Sequence, residues 1–267
     1  PALTLRPGTG TEVTVLANYS EQRSDTAHQF LPVTGTLFPS ASGQKIDPYD
    51  YHGAPGFNAY DTDSFALTLL LEQRLSDAFS FEAVGRFVDS QADYRQAWIA
   101  FQGNGVPRID ANGDGAWTYY LADNRSEQLA VDARLRGEFS TGPIRHEMLV
   151  GVQRQDVFTD SDTAYIFNGG TLNAFDPQYR NVLSVDEVRQ FQRNRPRNYV
   201  DSTGFYISDQ LNWGSLVANA GVRFDSVENR VENGTTQEDD AISGASCCSS
   251  LCHSSYRTIA VPVAQIR

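Results

Sequence analysis

Hydrophobic and polar residues alternate one by one along several stretches of the chain, which is the pattern of β-strands whose two faces meet different surroundings. The alternation is most regular near residues 128–139, where one face is apolar and the other is almost entirely charged. It predicts strands near residues 11–20, 62–75, 79–101, 128–139, 144–152, 205–213 and 216–224. The pattern therefore indicates an all-β fold.

The connections between these predicted strands alternate in length. Tight turns are expected at residues 76–77, 140–143 and near 214, and long loops at 21–61, 102–123 and 157–200. In an up-and-down antiparallel sheet every second connection lies at the same end, so one end carries short turns and the other long loops. This asymmetry is typical of a transmembrane β-barrel with short periplasmic turns and long extracellular loops. A soluble β-sandwich or lipocalin-like barrel is the alternative.

The averaged composition does not oppose a transmembrane barrel. The mean hydropathy is -0.41 and 40% of the residues are hydrophobic, and no stretch approaches the roughly 18 consecutive apolar residues that a membrane-spanning helix needs. Barrel strands alternate lipid-facing with lumen-facing side chains, so they read as soluble in any average. The net charge of -12 leaves no basic stripe to follow a phosphate backbone, and nucleic acid is not an expected partner.

The two ends of the sequence favour an internal fragment. The chain opens at Pro1 without a signal-peptide stretch, and Met148 is its only methionine. After about residue 243 small residues replace the alternation, which suggests a frameshift or a truncation of the gene. We therefore expect a partial barrel over residues 1–243 and an aberrant, disordered tail over residues 244–267.

Several ordered blocks of the sequence follow recognisable patterns. Residues 141–152 resemble TG-x-x-x-H-x-x-L-x-G-x, residues 203–210 resemble a TG-x-Y-x-x-D-Q strand, and residues 220–225 resemble a G-x-R-Y-D strand. Residues 1–7 look like the end of an earlier strand, and residues 30–36 look like a loop segment. Together, in this order, the blocks are similar to the TonB-dependent siderophore receptors, and to the ferrichrome-type members in particular.

The resemblance extends over residues 1–243 and implies that the chain holds about seven or eight strands of a larger transmembrane β-barrel in the cell outer membrane. Receptors of this family import ferric siderophores, and the TonB complex supplies energy through a plug domain that this chain lacks. The expected partners are a ferric siderophore and outer-membrane lipid, with TonB reached only through the missing plug. No cofactor and no enzymatic activity are expected, and the fragment is not expected to transport alone. A passive porin fragment and a soluble ligand-binding β-protein are the alternatives.

Aromatic side chains are the candidate siderophore contacts, because ferric siderophores are polar, rigid and bulky and suit ring faces with a few hydrogen-bond donors. By resemblance, Phe30 occupies a position where ferrichrome-type receptors place an aromatic ligand contact, and Trp98 lies near a second such position. The full candidate set is His28, Phe30, Trp98, Phe101, Trp117, Tyr119 and Tyr120. The alternative is that these rings form an interfacial girdle or pack the loops together.

Two stretches carry weak metal-binding patterns, and no metal site is expected. Residues 110–115 match the first half of a calcium loop, but the glutamate required at the last loop position is Leu121. A turn-rich loop is therefore the preferred interpretation. Adjacent cysteines give poor tetrahedral geometry for the four conceivable zinc ligands, which are Cys247, Cys248, Cys252 and His253.

The sequence shows no catalytic apparatus. Its four histidines are scattered, and no G-x-S-x-G turn or comparable nucleophile motif occurs. An outer-membrane hydrolase, the enzyme alternative, would need a serine within hydrogen-bond reach of His146 or His28. Because His146 follows a tight turn at the end opposite the loops, a structural or interfacial role is the better interpretation.

Overall fold

The computed structural model describes residues 1–26, 29–101, 103, 106–250 and 259–260. Within them the chain forms one antiparallel sheet that does not close, and its main strands neighbour each other in sequence order. Two short strands, Tyr179–Arg180 and Arg193–Asn194, pair with the long strand Ile144–Asn173 beside this main path. In chain order the elements are β1 (Ala2–Gly8), β2 (Thr11–Gln22), α1 (Val33–Thr36), β3 (Ala59–Arg74), β4 (Phe79–Ile99), β5 (Asp114–Thr141), β6 (Ile144–Asn173), β7 (Tyr179–Arg180), α2 (Val185–Arg189), β8 (Arg193–Asn194), β9 (Asn198–Trp213), β10 (Leu216–Val231), β11 (Thr236–Ser250) and β12 (Ile259–Ala260).

One face of the sheet is apolar, because the register aligns the hydrophobic positions of successive strands. Leu71 of β3 pairs with Ala83 of β4, and Ala83 pairs with Ala133 of β5. Phe205 in the same row is 55% exposed, as a lipid-facing side chain should be. From β1 to β11 this apolar row is Leu5, Val13, Leu71, Ala83, Ala133, Val152, Phe205, Phe224 and Ile242. We call this side of the sheet the apolar face and the other side the polar face.

The polar face carries paired charges along the same stretch of strand. Glu82 of β4 accepts from both Arg134 and Arg136 of β5, with N–O distances of 2.6 and 2.7 Å. Asp132 accepts a hydrogen bond from the Tyr206 hydroxyl at 2.9 Å. The two faces therefore suit two surroundings, one apolar and one polar, and the predicted antiparallel sheet with unlike faces is confirmed.

Tight turns join the strands at one end of the sheet and long loops join them at the other. Gly142 and Gly214 lie in the turns with φ of 61° and 59°, a left-handed conformation that glycine adopts without strain. The long connections are residues 23–58, 100–113 and 174–197. The predicted alternation of short and long connections is confirmed for β2 to β10.

Several strands are longer than the sequence pattern predicts, and β5 and β6 exceed it by the most. Strand β5 begins at Asp114 and β6 ends at Asn173, so the loops expected at 102–123 and 157–200 are shorter than predicted. Backbone pairing continues here although loops cover part of these strands. Both faces of β5 carry mainly apolar or aromatic side chains at residues 117–122, and both faces of β6 carry polar side chains at residues 159–163. Polar and apolar residues do not alternate in such stretches, which is why the sequence pattern missed these extensions.

Strand β11 is a ninth long strand among the described residues, and the sequence pattern did not predict it. Phe224 pairs with Ile242 and Leu216 with Ser250, so the strand crosses the boundary expected at residue 243. Its small and polar residues lack hydrophobic alternation, but the backbone ladder does not depend on side chains. Residues 251–258 and 261–267 lie outside the described residues, so the disordered tail stays a prediction.

The hydrophobic core lies at the long-loop end, where the loops cover the ends of β4, β5 and β6. Trp117 donates its Nε1–H to the His52 carbonyl oxygen at 3.0 Å. Phe57 packs edge-on against Tyr119, with ring centroids 4.8 Å apart. No helix in the described part of the chain is long and apolar enough to cross a membrane. The buried members of this core are Ile46, Ala54, Phe57, Ala97, Ile99, Trp117, Tyr119, Leu121, Ala164, Leu172, Ala174 and Val188.

Candidate functional site

Aromatic rings from adjacent strands meet on the polar face near the long-loop end. The Tyr120 ring centroid lies 4.6 Å from that of Tyr165, 5.6 Å from that of Tyr94 and 6.4 Å from that of Trp98. These separations are typical of favourable aromatic pairs. We call the connected set the aromatic cluster, and its members are Phe30, Tyr60, Tyr94, Trp98, Phe101, Tyr120, Tyr165 and Phe167.

The strand period and the register bring these rings together. Successive residues of a strand point to opposite faces, so Tyr94 and Trp98 of β4 share the polar face. The register sets Tyr120 of β5 opposite Tyr165 of β6 and Tyr60 of β3 opposite Tyr94. Rings directly or diagonally opposite each other are within reach of contact across a sheet.

The first long loop adds Phe30 to the cluster. Its ring centroid lies 6.1 Å from that of Trp98 and 5.2 Å from that of Phe101. The neighbouring Gln29 donates its Nε2–H to the Ala97 carbonyl oxygen at 2.9 Å, which fastens the loop to β4. Phe30 and Phe101 remain 44% and 43% exposed, so the cluster presents ring surface to a ligand.

Some of the sequence-predicted site residues lie in this cluster and others do not. Trp117 and Tyr119 face the opposite side of β5 and are 0% exposed within the hydrophobic core. Strand neighbours such as Tyr119 and Tyr120 cannot share a face, and the structure has Trp117 and Tyr119 packing the loops. His28 lies outside the described residues. The candidates within the cluster are Phe30, Trp98, Phe101 and Tyr120.

Sequence reasoning missed half of the cluster. Tyr94 could have been found from the sequence, because it lies four residues before Trp98 in the same predicted strand and therefore on the same face. Tyr165 could not, because its neighbours depend on a strand register inside a stretch predicted as a loop. The members that were missed are Tyr60, Tyr94, Tyr165 and Phe167.

The cluster offers hydrogen-bond donors to a ligand. The Trp98 Nε1–H is buried and has no hydrogen-bond partner among the described residues. The Tyr94 hydroxyl donates to Oε1 of Gln96. Burial raises the pKa of Tyr120, which lies beyond the apolar row, so this hydroxyl stays protonated at neutral pH. A ligand oxygen that reached Trp98 would pair a donor that is otherwise unsatisfied.

Metal-binding geometry does not occur among the described residues. In the calcium-like stretch, Asp110 Oδ1 accepts the backbone N–H groups of Asn112 and Asp114, both at 2.9 Å. This carboxylate closes a turn, as expected for a turn-rich loop. Among the conceivable zinc ligands, Cys247 and Cys248 are neighbours on β11 and face opposite sides of the sheet. The other two, Cys252 and His253, lie outside the described residues.

His146 is held at the tight-turn end by two hydrogen bonds. Its Nδ1 lies 2.7 Å from Asp209 Oδ2, and its Nε2 lies 2.6 Å from the Thr141 hydroxyl oxygen. Its ring stacks on Phe139 with centroids 4.9 Å apart. The hydroxyl belongs to a threonine of the adjoining turn and not to the serine that the hydrolase alternative requires. These contacts join β5, β6 and β9, which supports a structural role.

Comparison with known proteins gives a family and several curated relatives. The family model described as TonB dependent receptor-like, beta-barrel matches residues 4–245. The ferrichrome outer membrane transporter/phage receptor of Escherichia coli K12 is 24% identical over 262 residues, which covers 90% of this chain and 34% of that protein. The ferrioxamine B receptor of Salmonella typhimurium is 26% identical over 227 residues, which covers 85% of this chain and 30% of that protein. The chain thus spans about a third of the length of these relatives.

Solved structures share the fold at low sequence identity. The ferric-catecholate import receptor Fiu of E. coli K12, in its closed form, superimposes with a TM-score of 0.72 at 15% identity, covering 95% of this chain and 40% of that chain. The ferric preacinetobactin receptor BauA of Acinetobacter baumannii gives a TM-score of 0.65 at 15% identity, covering 92% and 36%. At such identities the likeness establishes the architecture, and it confirms the antiparallel β-barrel segment.

Proposed function

Because the chain belongs to the family of TonB-dependent receptor β-barrels, we propose that it forms part of a receptor that binds ferric siderophores for uptake. The family resides in the outer membrane, and so does this chain. Family membership sets aside the porin and soluble-protein alternatives. The observation that carries the proposal is the aromatic cluster, which lies on the polar face beyond the apolar row.

The aromatic cluster suits a bulky, oxygen-rich ferric chelate. Tyrosine and tryptophan offer large rigid ring faces that lose little conformational entropy on binding. The Trp98 Nε1–H and the Tyr120 hydroxyl supply donors for the oxygens around the iron. The relatives named for ferrichrome and ferrioxamine B support this class of ligand. We assign the contacts to Phe30, Trp98, Phe101 and Tyr120, joined by Tyr94 and Tyr165.

The other partners follow from the two faces of the sheet. Outer-membrane lipid covers the apolar row, and the ligand reaches the polar face from the long-loop end. Energy for uptake comes from the TonB complex, which acts in this family through the plug domain and not through barrel strands such as these. We assign neither a reaction nor a resident cofactor to the chain, and the ferric chelate is cargo.

Ligand binding by protein extracted from outer membranes tests the proposal. The protein is produced with any sequence that adjoins residues 1–267 in its gene. Trp98→Ala removes a ring face and a donor, so retention of radiolabelled ferric siderophore should weaken about tenfold. Trp213→Ala is the matched control, because Trp213 is 58% exposed at the tight-turn end of the apolar face. No saturable retention by the unaltered protein, or equal affinity in both variants, would contradict the proposal.

A further inference from the structure

Arg195 carries a positive charge that no carboxylate neutralises among the described residues. Its Nε donates to the Thr163 hydroxyl oxygen at 3.0 Å, and its backbone N–H donates to the Ser161 carbonyl oxygen at 3.1 Å. Both acceptors are uncharged, and the side chain is exposed. The remaining guanidinium N–H groups have no acceptor in the part of the chain that the structure describes, and they can bind an anion.

The Arg195 guanidinium lies at the edge of the aromatic cluster. Thr163 is only 8% exposed on the polar face of β6, opposite Ala122 of β5 and two residues before Tyr165. The positive charge of Arg195 also acts to lower the pKa of Tyr120, against the larger rise caused by burial. Geometry and electrostatics both set this cation beside the rings.

At the strand positions around Thr163, the acidic residues of the sheet lie on the face opposite the aromatic cluster. The nearby arginines on the opposite face are neutralised, since Arg189 lies 3.2 Å from Asp123 and Arg197 lies 3.4 Å from Asp160. On the polar face the residues that adjoin these aspartates in sequence are uncharged, and positive charge is added there by Arg195 and by Arg193, which pairs with Thr163. The aspartates pair directly across four strands, as Asp61, Asp93, Asp123 and Asp162.

We propose that Arg195 is a specificity-determining residue that favours ferric chelates with net negative charge over neutral ones. This inference rests on the proposed function, because it assigns a role within the same ligand site. Three hydroxamate groups balance the charge of a ferric ion, whereas three catecholates leave the complex trianionic. An unpaired guanidinium beside ring surfaces attracts the second class of chelate and is nearly indifferent to the first.

Equilibrium binding of a ferric tricatecholate and a ferric trihydroxamate to protein from outer membranes tests the inference. Arg195→Gln should weaken tricatecholate binding about tenfold, as the loss of a charge-assisted hydrogen bond implies, and trihydroxamate binding less than about twofold. Arg197→Gln is the matched control and should change neither affinity, because Arg197 pairs with Asp160 on the opposite face. Arg195→Lys should retain part of the preference, since the charge remains and only the planar fork is lost.

The possible outcomes separate this inference from the proposed function. Equal weakening of both chelates by Arg195→Gln, no change in either, or a wild-type preference for the trihydroxamate would overturn the role of Arg195 while ligand binding stands. Retention of neither chelate by folded, protease-resistant protein would overturn the proposed function and the inference with it. A tricatecholate preference that falls as ionic strength rises would support the inference.

Discussion

At the scale of single residues, His146 fastens three strands at the tight-turn end. The carboxylate of Asp209 can only accept, so Nδ1 of His146 donates to it, and Nε2 is hydrogen-bonded to the Thr141 hydroxyl. All three groups lie on the apolar face, where a polar atom without a partner is costly. Thr141 of β5, His146 of β6 and Asp209 of β9 thus form one hydrogen-bonded group, which we call the clasp.

Asp209→Ala is expected to destabilise the fold by about 1–3 kcal/mol, because it leaves His146 without its acceptor in poorly hydrated surroundings. The urea midpoint for unfolding of the membrane-embedded protein measures the loss. Asp77→Ala is the control at the same end of the sheet. The Asp77 side chain is 98% exposed and pairs with Arg74, so its removal should cost less than about 0.5 kcal/mol. Equal midpoint shifts would show that the clasp does not hold the strands.

The two adjacent tyrosines of β5 show what a single sequence can say about one residue. The odd positions Leu129 and Phe139 lie on the apolar face, so strand parity sends Tyr119 to that side and Tyr120 to the polar face. That deduction requires β5 to run unbroken to Asp114. Because the sequence pattern predicts a loop at residues 102–123, both tyrosines entered the candidate set.

At the scale of elements, strands that face lipid on one side are predictable and their extensions are not. Near the apolar row each strand presents apolar side chains on one face and polar side chains on the other, which is the alternation that the sequence pattern detects. Beyond it, β5 and β6 are covered by loop residues on the apolar side and by aromatic rings on the polar side. The long loops are consequently packed onto the strands, with Trp117 at the centre of the contact.

Trp117→Ala is expected to loosen the loop formed by residues 23–58 without melting the strands beneath it. The variant loses a fully buried ring and the hydrogen bond to the His52 carbonyl oxygen, which costs about 3–5 kcal/mol of packing at that contact. Limited proteolysis should therefore cut this loop faster, while the β-sheet circular dichroism signal persists. Tyr49→Ala serves as the comparison, because Tyr49 is 95% exposed in the same loop. Similar cleavage rates in both variants would mean that Trp117 does not anchor the loop.

At the scale of the whole molecule, one sheet separates two environments. The apolar row crosses nine strands without a charged member, while paired charges and aromatic rings occupy the polar face. A one-residue register slip in any strand would carry its charged residues to the apolar face, so the separation of the two faces depends on the observed register. The face assignments and the position of the aromatic cluster therefore depend on one property of the sheet, the separation of an apolar face from a polar face.

Two alanines on neighbouring strands test that property directly. Ala83 lies in the apolar row between Leu71 and Ala133, whereas Ala66 lies on the polar face opposite Val88. Ala83→Arg sets a guanidinium against hydrocarbon and should raise the free energy of folding by about 2–4 kcal/mol, while Ala66→Arg should cost less than about 1 kcal/mol. Folding from urea into phospholipid vesicles measures both changes. Equal costs would mean that the apolar face does not contact lipid, whereas a penalty confined to Ala83→Arg would fix which face the ligand can reach.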